Sequence, residues 1–447
     1  MAGPLEKIAL PIQLGYRSRL AVIIESIVIG FITGFIIVFF RVSLVKAEEL
    51  RRRFYTFLVG APFYWILLWA LLLALAGLFL GWTAKKRPMV KGSGIPQVKG
   101  YLTRQMVLEW APELPLKLVT GILGLGAGLS LGREGPSILI GAYVGLGVLT
   151  LFRRPYAERR SLVSAAAAAG MAAAFNAPLA GVLFSIEELQ CGFSALNIAC
   201  AMGASMAADT VAGFFFGLGP IFDFRYVDAL ALGSLPWVVL LGIFCGLLGA
   251  LFKRSLYCSL NLYDRLRVPP LVRPVLPLLV SIPLGFFFYD ITGGGHSLIE
   301  ALSREQPALG MIALLFLGKL LFTAFCYGSG TSGGIFLPFL SCGALTGAAL
   351  GVFLNMAGFI ETARNVNFMI LGMAGFFAAV VKAPVTGIIL ILEMSGNFNQ
   401  LGSLVLVSLS AFVTTEVIVS RPVYAVLLER ALAGKRPFPA RKRPAAL

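Results

Sequence analysis

Two kinds of residue in this sequence could do chemistry, and both lie among strongly apolar segments. Glu134 belongs to the tract Gly-Arg-Glu-Gly-Pro at 132–136, and Glu187 and Glu188 end the apolar stretch 177–188. Glycine-rich tracts that precede prolines are the second kind. Ionisable groups within apolar membrane segments mark ion pathways and proton relays. The pattern therefore predicts movement of ions and protons rather than covalent catalysis.

Three glycine-rich tracts, at 92–96, 132–136 and 333–338, each place glycine before a proline that opens an apolar run. Proline suits the first turn of a helix, so each tract predicts a helix N-terminus. Converging N-termini would hold an anion through unpaired N–H groups and helix dipoles. Glu134 at such an end could occupy the anion's place until protonated, which predicts a gate. A simple helix-capping carboxylate is the alternative.

Other chemistries find no support in the sequence. No G-x-x-x-x-G-K-[ST] tract is present, and no nucleophile, base and orienting group form a recognisable set, so neither a nucleotide site nor an enzyme is predicted. Six cysteines are scattered without C-x-x-C spacing. The single histidine, His296, favours a structural role. We therefore expect no metal site and no cofactor.

Composition predicts an integral membrane protein. Of 447 residues 58% are apolar and only 13% charged, and the mean hydropathy is +0.88. Twelve apolar runs follow one another, several of them shorter than the roughly 20 residues of a full span. An all-α polytopic bundle with partly broken and re-entrant helices is expected. The excess basic residues lie at loops, which favours cytoplasmic flanks over nucleic-acid binding.

The two halves of the chain resemble each other. Gly30 matches Gly242 at an offset of 212, the tract at 132–136 matches Gly-Ile-Phe-Leu-Pro at an offset of 202, and 177–188 matches 383–394 at 206. Duplicated halves with broken helices indicate a secondary transporter with its site between the repeats. We predict a single transport domain over 1–447. Its parts are repeat 1 at about 18–225, repeat 2 at about 230–430 and a basic cytoplasmic tail at 431–447.

The repeat also separates scaffold residues from residues with a unique task. Glu187 recurs as Glu393, which favours a structural or pathway-lining role. At the corresponding positions of repeat 2, Glu188 is replaced by Met394, Glu134 by Phe336 and Ser93 by Gly294. The three unmatched positions, in repeat 1, are the candidates for chemistry.

Four motifs occur in order: "GSGIP" at 92–96, "GREGP" at 132–136, "GGIFLP" at 333–338 and "RPVY" at 421–424. In this order and spacing they resemble the CLC family of chloride channels and chloride/proton exchangers. The resemblance extends from about residue 18 to 430. It implies two inverted repeats of tilted, partly broken helices, a homodimer with one pathway per subunit, and the plasma membrane of a prokaryote.

The resemblance also implies site residues. Ser93 and Tyr424 would donate hydroxyls to a central chloride, and the backbone amides of Ile335 and Phe336 would complete the site. By the same resemblance, Glu134 is the gate and external proton acceptor.

Glu188 resembles the internal proton-transfer residue of the family's exchangers, and Glu187 is a possible lining residue of the proton path. A chloride/proton antiporter is therefore preferred. A passive chloride channel is the first alternative, and Glu188 argues against it. A fluoride exchanger of the same family is the second, and Ser93, Tyr424 and Pro136 argue against it.

Overall fold

The computed structural model describes residues 16–152, 156–189, 192–305, 307–360 and 365–433, and these residues are largely helical. Seventeen α-helices lie in the described part of the chain: α1 (Tyr16–Gly60), α2 (Phe63–Lys86), α3 (Ile95–Leu102), α4 (Trp110–Gly126), α5 (Glu134–Leu151), α6 (Tyr156–Phe175), α7 (Pro178–Glu187), α8 (Ala195–Phe216), α9 (Leu235–Arg265), α10 (Val275–Phe287), α11 (His296–Arg304), α12 (Leu309–Gly328), α13 (Phe336–Met356), α14 (Asn365–Val381), α15 (Pro384–Ser395), α16 (Leu401–Val417) and α17 (Val423–Ala433).

Eight of the described helical segments are long and apolar enough to cross a membrane, whereas α7, α10, α14 and α15 are apolar but shorter. This confirms the prediction of a polytopic helical protein with incomplete spans. Of the predicted tail, residues 431–433 continue α17, and 434–447 lie outside the described residues.

Two apolar runs that look continuous in the sequence are each divided into two helices. Asn176 separates α6 from α7 and Lys382 separates α14 from α15, with φ angles of 51° and 64°. A proline follows two residues later in both cases, at Pro178 and Pro384. The left-handed residue ends one helix, and proline, which cannot donate a backbone hydrogen bond, opens the next.

The helices repeat in order. Each of α1–α8 has a counterpart in α9–α16, and among the described helices α17 alone has none. Counterparts face each other through reciprocal hydrogen bonds. Gly132 N–H donates to Gly334 O at 2.7 Å, and Gly334 N–H donates to Gly132 O at 2.8 Å. These residues occupy equivalent positions, so a pseudo-twofold axis passes between them.

The pair α7 and α15 shows the same reciprocity at their ends. The carboxylate of Glu187, at the end of α7, accepts the N–H of Thr386 near the start of α15 at 2.7 Å. Glu393, near the end of α15, accepts the N–H of Ala180 near the start of α7 at 2.8 Å. The two helices are therefore antiparallel, which makes the repeats inverted, as the family resemblance implies.

Buried cations brace both repeats at matching places. Lys117 on α4 donates to Gly92 O at 2.7 Å, and Lys319 on α12 donates to Gly293 O at 2.8 Å, just before α3 and α11. Both ammonium groups end on carbonyl oxygens of irregular backbone, which would otherwise be unsatisfied inside a membrane.

A second cation pair binds helix C-termini. Arg41 on α1 donates to Ala173 O near the end of α6 at 2.6 Å. Its counterpart Lys253 on α9 donates to Ala379 O near the end of α14 at 2.9 Å. The last carbonyls of a helix have no partner within it, so these cations satisfy groups that both halves leave free.

Candidate functional site

The three glycine-rich tracts meet at one junction. Gly92 N–H donates to Thr331 O at 2.9 Å, and Gly333 N–H donates to Gly92 O at 3.1 Å, beside the reciprocal pair of Gly132 and Gly334. From this junction α3, α5 and α13 begin, at the ends that the sequence predicts. Three positive helix ends therefore lie close together inside the protein.

Glycine is required here because the tracts touch. A Cβ at Gly135 would lie 2.3 Å from Oγ of Ser93 and 3.2 Å from Cα of Gly334. A Cβ at Gly132 would lie 2.2 Å from Oε2 of Glu134. Side chains at these positions would separate the helix ends or displace the serine and the carboxylate.

The two predicted hydroxyl donors, Ser93 and Tyr424, are 1% and 0% exposed. Among the described residues, neither hydroxyl has a hydrogen-bond partner. Tyr424 lies in the first turn of α17, which packs against α3, and its phenol is within electrostatic range of Glu134 and Glu188. Buried polar groups without partners are costly, and two beside converging helix ends are typical of a ligand site.

Glu134 is completely buried at the first position of α5. Its carboxylate faces the N–H of Leu337 in the first turn of α13, but neither oxygen has an aligned partner within the described residues. Arg133 next to it supplies a nearby positive charge. The carboxylate thus stands between two helix N-termini, where an anion is favoured.

Ile335 caps α13 and Phe336 is its first residue, so the helix itself offers no partner for their N–H groups. The ring of Phe336 is anchored by Phe175, Phe339 and Phe377, with centroid distances of 5.1, 5.1 and 5.2 Å. This aromatic cluster fixes the backbone that would present the two amides.

Two cavities flank the junction. One of about 570 Å³, called here the Arg133 cavity, is lined by a mixed set that includes Arg51, Arg133, Asn176, His296 and Leu337. The other, of about 390 Å³ and called here the Arg430 cavity, is lined by a set that includes Lys91, Gly92, Pro96, Asp264 and Arg430. The first reaches the chain neighbours of Glu134 and Phe336, and the second reaches those of Ser93.

Glu188 lies apart from the junction, at the end of α7, and is 4% exposed. Its Oε1 is 2.9 Å from Nζ of Lys99 on α3. Sequence reasoning did not single out Lys99. One signal was available: it is a basic residue one turn into a helix predicted to start at the anion tract.

The carboxylate of Glu187, at the end of α7, reaches the N-terminus of α15. There it accepts hydrogen bonds from the N–H and the hydroxyl of Thr386, both at 2.7 Å. This is a capping geometry, and a role in the proton path stays a prediction. His296 stacks on Phe222 at 4.9 Å and lies 3.4 Å from Glu300. The described residues contain no group of three potential metal ligands, and Cys191 lies outside them.

Residues 76–416 match the family model described as voltage gated chloride channel. The H(+)/Cl(-) exchange transporter ClcA of Citrobacter koseri is 34% identical over 431 residues, covering 93% of this chain and 90% of the relative. That of Vibrio cholerae serotype O1 is 32% identical over 435 residues, covering 94% and 92%. A slow cyanobacterial Cl⁻/H⁺ antiporter of known structure superposes with a TM-score of 0.89 at 32% identity, covering 95% of this chain and all of that one.

The fold defines a multi-pass membrane protein built from inverted repeats, of the class that carries ions. The chain belongs to the voltage-gated chloride channel family, that is, the CLC family.

Proposed function

We propose that the protein exchanges chloride for protons across the plasma (inner) membrane of a prokaryote, without covalent chemistry and without a cofactor. The observation that carries this proposal is the buried, unpartnered carboxylate of Glu134 between the starts of α5 and α13. The relatives named as H(+)/Cl(-) exchange transporters support it. The repeats at about 18–225 and 230–430 would act together as one transport domain.

Chloride would bind between the hydroxyls of Ser93 and Tyr424 and the amides of Ile335 and Phe336. These four groups are hydrogen-bond donors without a full charge, so they hold an anion loosely enough for it to leave. Glu134 competes for the same helix ends while ionised. Protonation removes its charge, so the carboxyl withdraws and chloride passes.

The proton would enter from the cytoplasmic side through Glu188, whereas Glu134 would lie toward the outside. The Arg430 cavity would face the cytoplasm, because the basic loops at 85–87 and 265–273 and the C-terminal tail would lie on that side. The Arg133 cavity would then face outward, next to Glu134. Chloride and proton would share the outer half of the path and separate below Glu134.

The test of exchange is the reversal potential of the purified protein in liposomes under crossed chloride and proton gradients. We expect a value between the two equilibrium potentials, set by both gradients. A reversal potential equal to that of chloride alone would mean a passive channel and would contradict the proposal.

Selectivity for chloride should depend on Ser93, whose hydroxyl is one of the four proposed donors. Ser93→Pro removes that hydroxyl together with the N–H of residue 93. Each charge-assisted hydrogen bond is worth about 1.5–3 kcal/mol, so chloride binding should fall roughly tenfold or more relative to nitrate. The measurement is the chloride/nitrate permeability ratio in liposomes.

The matched control for this prediction is Ser130→Ala, because the Ser130 hydroxyl is also buried but lies 2.8 Å from the hydroxyl of Thr323. We expect its permeability ratio to equal that of the wild type. An unchanged ratio in Ser93→Pro would place the selectivity filter elsewhere.

A homodimer is proposed through the face formed by α7 and α15. Both helices are too short to span a bilayer, with 10 and 12 residues. They expose Leu179 and Val385 by 50% and 52%, while Glu187 and Glu393 are only half-buried. Partly exposed carboxylates on an apolar face would be costly in contact with lipid, and a second copy would cover them.

Bulky substitutions test this interface. Leu179→Trp combined with Val385→Trp should halve the protein mass measured by light scattering in detergent. Leu71→Trp is the control, because Leu71 is 56% exposed on α2, a helix outside this face. A full-size assembly in the double variant would rule out the α7 and α15 face.

A further inference from the structure

Lys99 forms a buried ion pair with Glu188. It lies on α3, one turn beyond Ile95, with its ammonium Nζ 2.9 Å from Oε1 of Glu188. Only 10% of the Lys99 side chain and 5% of the Glu188 side chain are exposed. The pair connects the helix that carries the anion tract to the end of α7.

The pair is absent from the shared scaffold. Lys117 and Lys319, by contrast, occupy matching positions in the two repeats and end on backbone carbonyls. At the offset of α3 and α11, Lys99 corresponds to Glu300, and Glu188 corresponds to Met394. Repeat 1 therefore carries both charges as a feature of its own.

Three groups face the Glu188 carboxylate: Lys99 from α3, Glu187 from α7 and Tyr424 from α17. Glu187 is held by the N-terminus of α15. In the described residues, Lys99 is the one cation within ion-pair distance of Glu188. Protonating Glu188 therefore leaves a buried ammonium without a counter-charge, which is strongly unfavourable.

We propose that Lys99 is a positioning residue for proton transfer, which favours the ionised form of Glu188 and holds its carboxylate against α3 until a proton displaces the contact. This inference rests on the proposed proton-transfer role of Glu188. The arriving proton forms an O–H bond on the Glu188 carboxylate, and the Nζ–Oε1 contact breaks while Lys99 keeps its own protons. When Glu188 passes the proton on toward Glu134, the ion pair forms again.

Lys99 thus opposes proton loading, and removing its charge should make loading easier. In liposomes, Lys99→Met should move the pH of half-maximal chloride-driven proton transport upward by about one unit, or roughly tenfold in proton concentration. Lys99→Gln keeps a hydrogen-bond donor for Glu188 and is therefore less disruptive to folding. It should shift the pH of half-maximal transport in the same direction. Lys99→Arg keeps the charge and should stay near the wild-type profile.

Lys85→Met is the matched control, because Lys85 is exposed near the end of α2 and its loss changes the net charge equally. We expect it to leave the pH profile unchanged. Wild-type profiles in both Lys99→Met and Lys99→Gln would overturn the inference.

The Glu188→Gln background separates this inference from the proposed function. If Glu188→Gln still pumps protons, the proposed proton route fails whatever Lys99 does. If it stops pumping while Lys99→Met keeps the wild-type profile, only the role of Lys99 fails. In Glu188→Gln, adding Lys99→Met should leave the pH dependence of the remaining chloride flux unchanged, and a shift there would mean that Lys99 acts on another group.

Discussion

Glu134→Gln and Glu134→Ala are expected to carry chloride without moving protons. Neither side chain titrates, so the anion path loses its competing charge and the proton loses its acceptor at the start of α5. The measurement is proton uptake driven by a chloride gradient in liposomes, recorded beside chloride flux. We expect chloride flux to persist and proton uptake to disappear.

Glu113→Gln is a suitable control, because Glu113 is a buried carboxylate in the first turn of α4, where it accepts the N–H of Glu109 at 3.0 Å. Its loss should lower stability without uncoupling transport. Proton uptake that survives in Glu134→Ala would remove Glu134 from the proton path.

The second large effect is expected for Glu188→Gln, which keeps the shape of the side chain but cannot release a proton. Chloride movement should continue while proton movement stops, because the proton loses its proposed acceptor at the end of α7. Proton pumping against a gradient, measured in liposomes, is the readout.

Glu187→Gln and Glu393→Gln form a matched pair of controls. Each carboxylate caps the start of the opposite helix: Glu187 of α7 caps α15, and Glu393 of α15 caps α7. If Glu187 only caps a helix, both variants should lose stability to a similar extent and keep their coupling. Proton pumping at the wild-type ratio in Glu188→Gln would contradict the proposed proton route, and Glu187 would then be the first alternative acceptor.

Much of the junction could be predicted from sequence, because its signals are local. Glycine followed by proline favours a helix start in any fold, so the helix starts at Ile95, Glu134 and Phe336 could be predicted from sequence. The duplication could also be predicted, because matching residues recur at nearly constant offsets between the two halves. They did not give its direction, because sequence matches are the same for parallel and inverted repeats.

The breaks at Asn176 and Lys382 were missed, since the apolar run continues on both sides of each residue. Pro178 and Pro384 follow the breaks, but neither Asn176 nor Lys382 is a glycine, so the left-handed residue itself has no sequence signal. The partner of Glu188 was missed for a different reason. Lys99 lies 89 positions away in the chain, and nothing local records that contact.

The buried cations explain how chloride could approach a region that also contains negative helix ends. The last turns of α6 and α14 lie beside Phe336, where Phe175 and Phe377 contact its ring. Arg41 and Lys253 bind carbonyls of those same turns. The negative poles of α6 and α14 are therefore each offset by a bound cation. The proposed chloride site would therefore depend partly on removing repulsion, because these two cations cancel negative helix ends that would otherwise repel an anion.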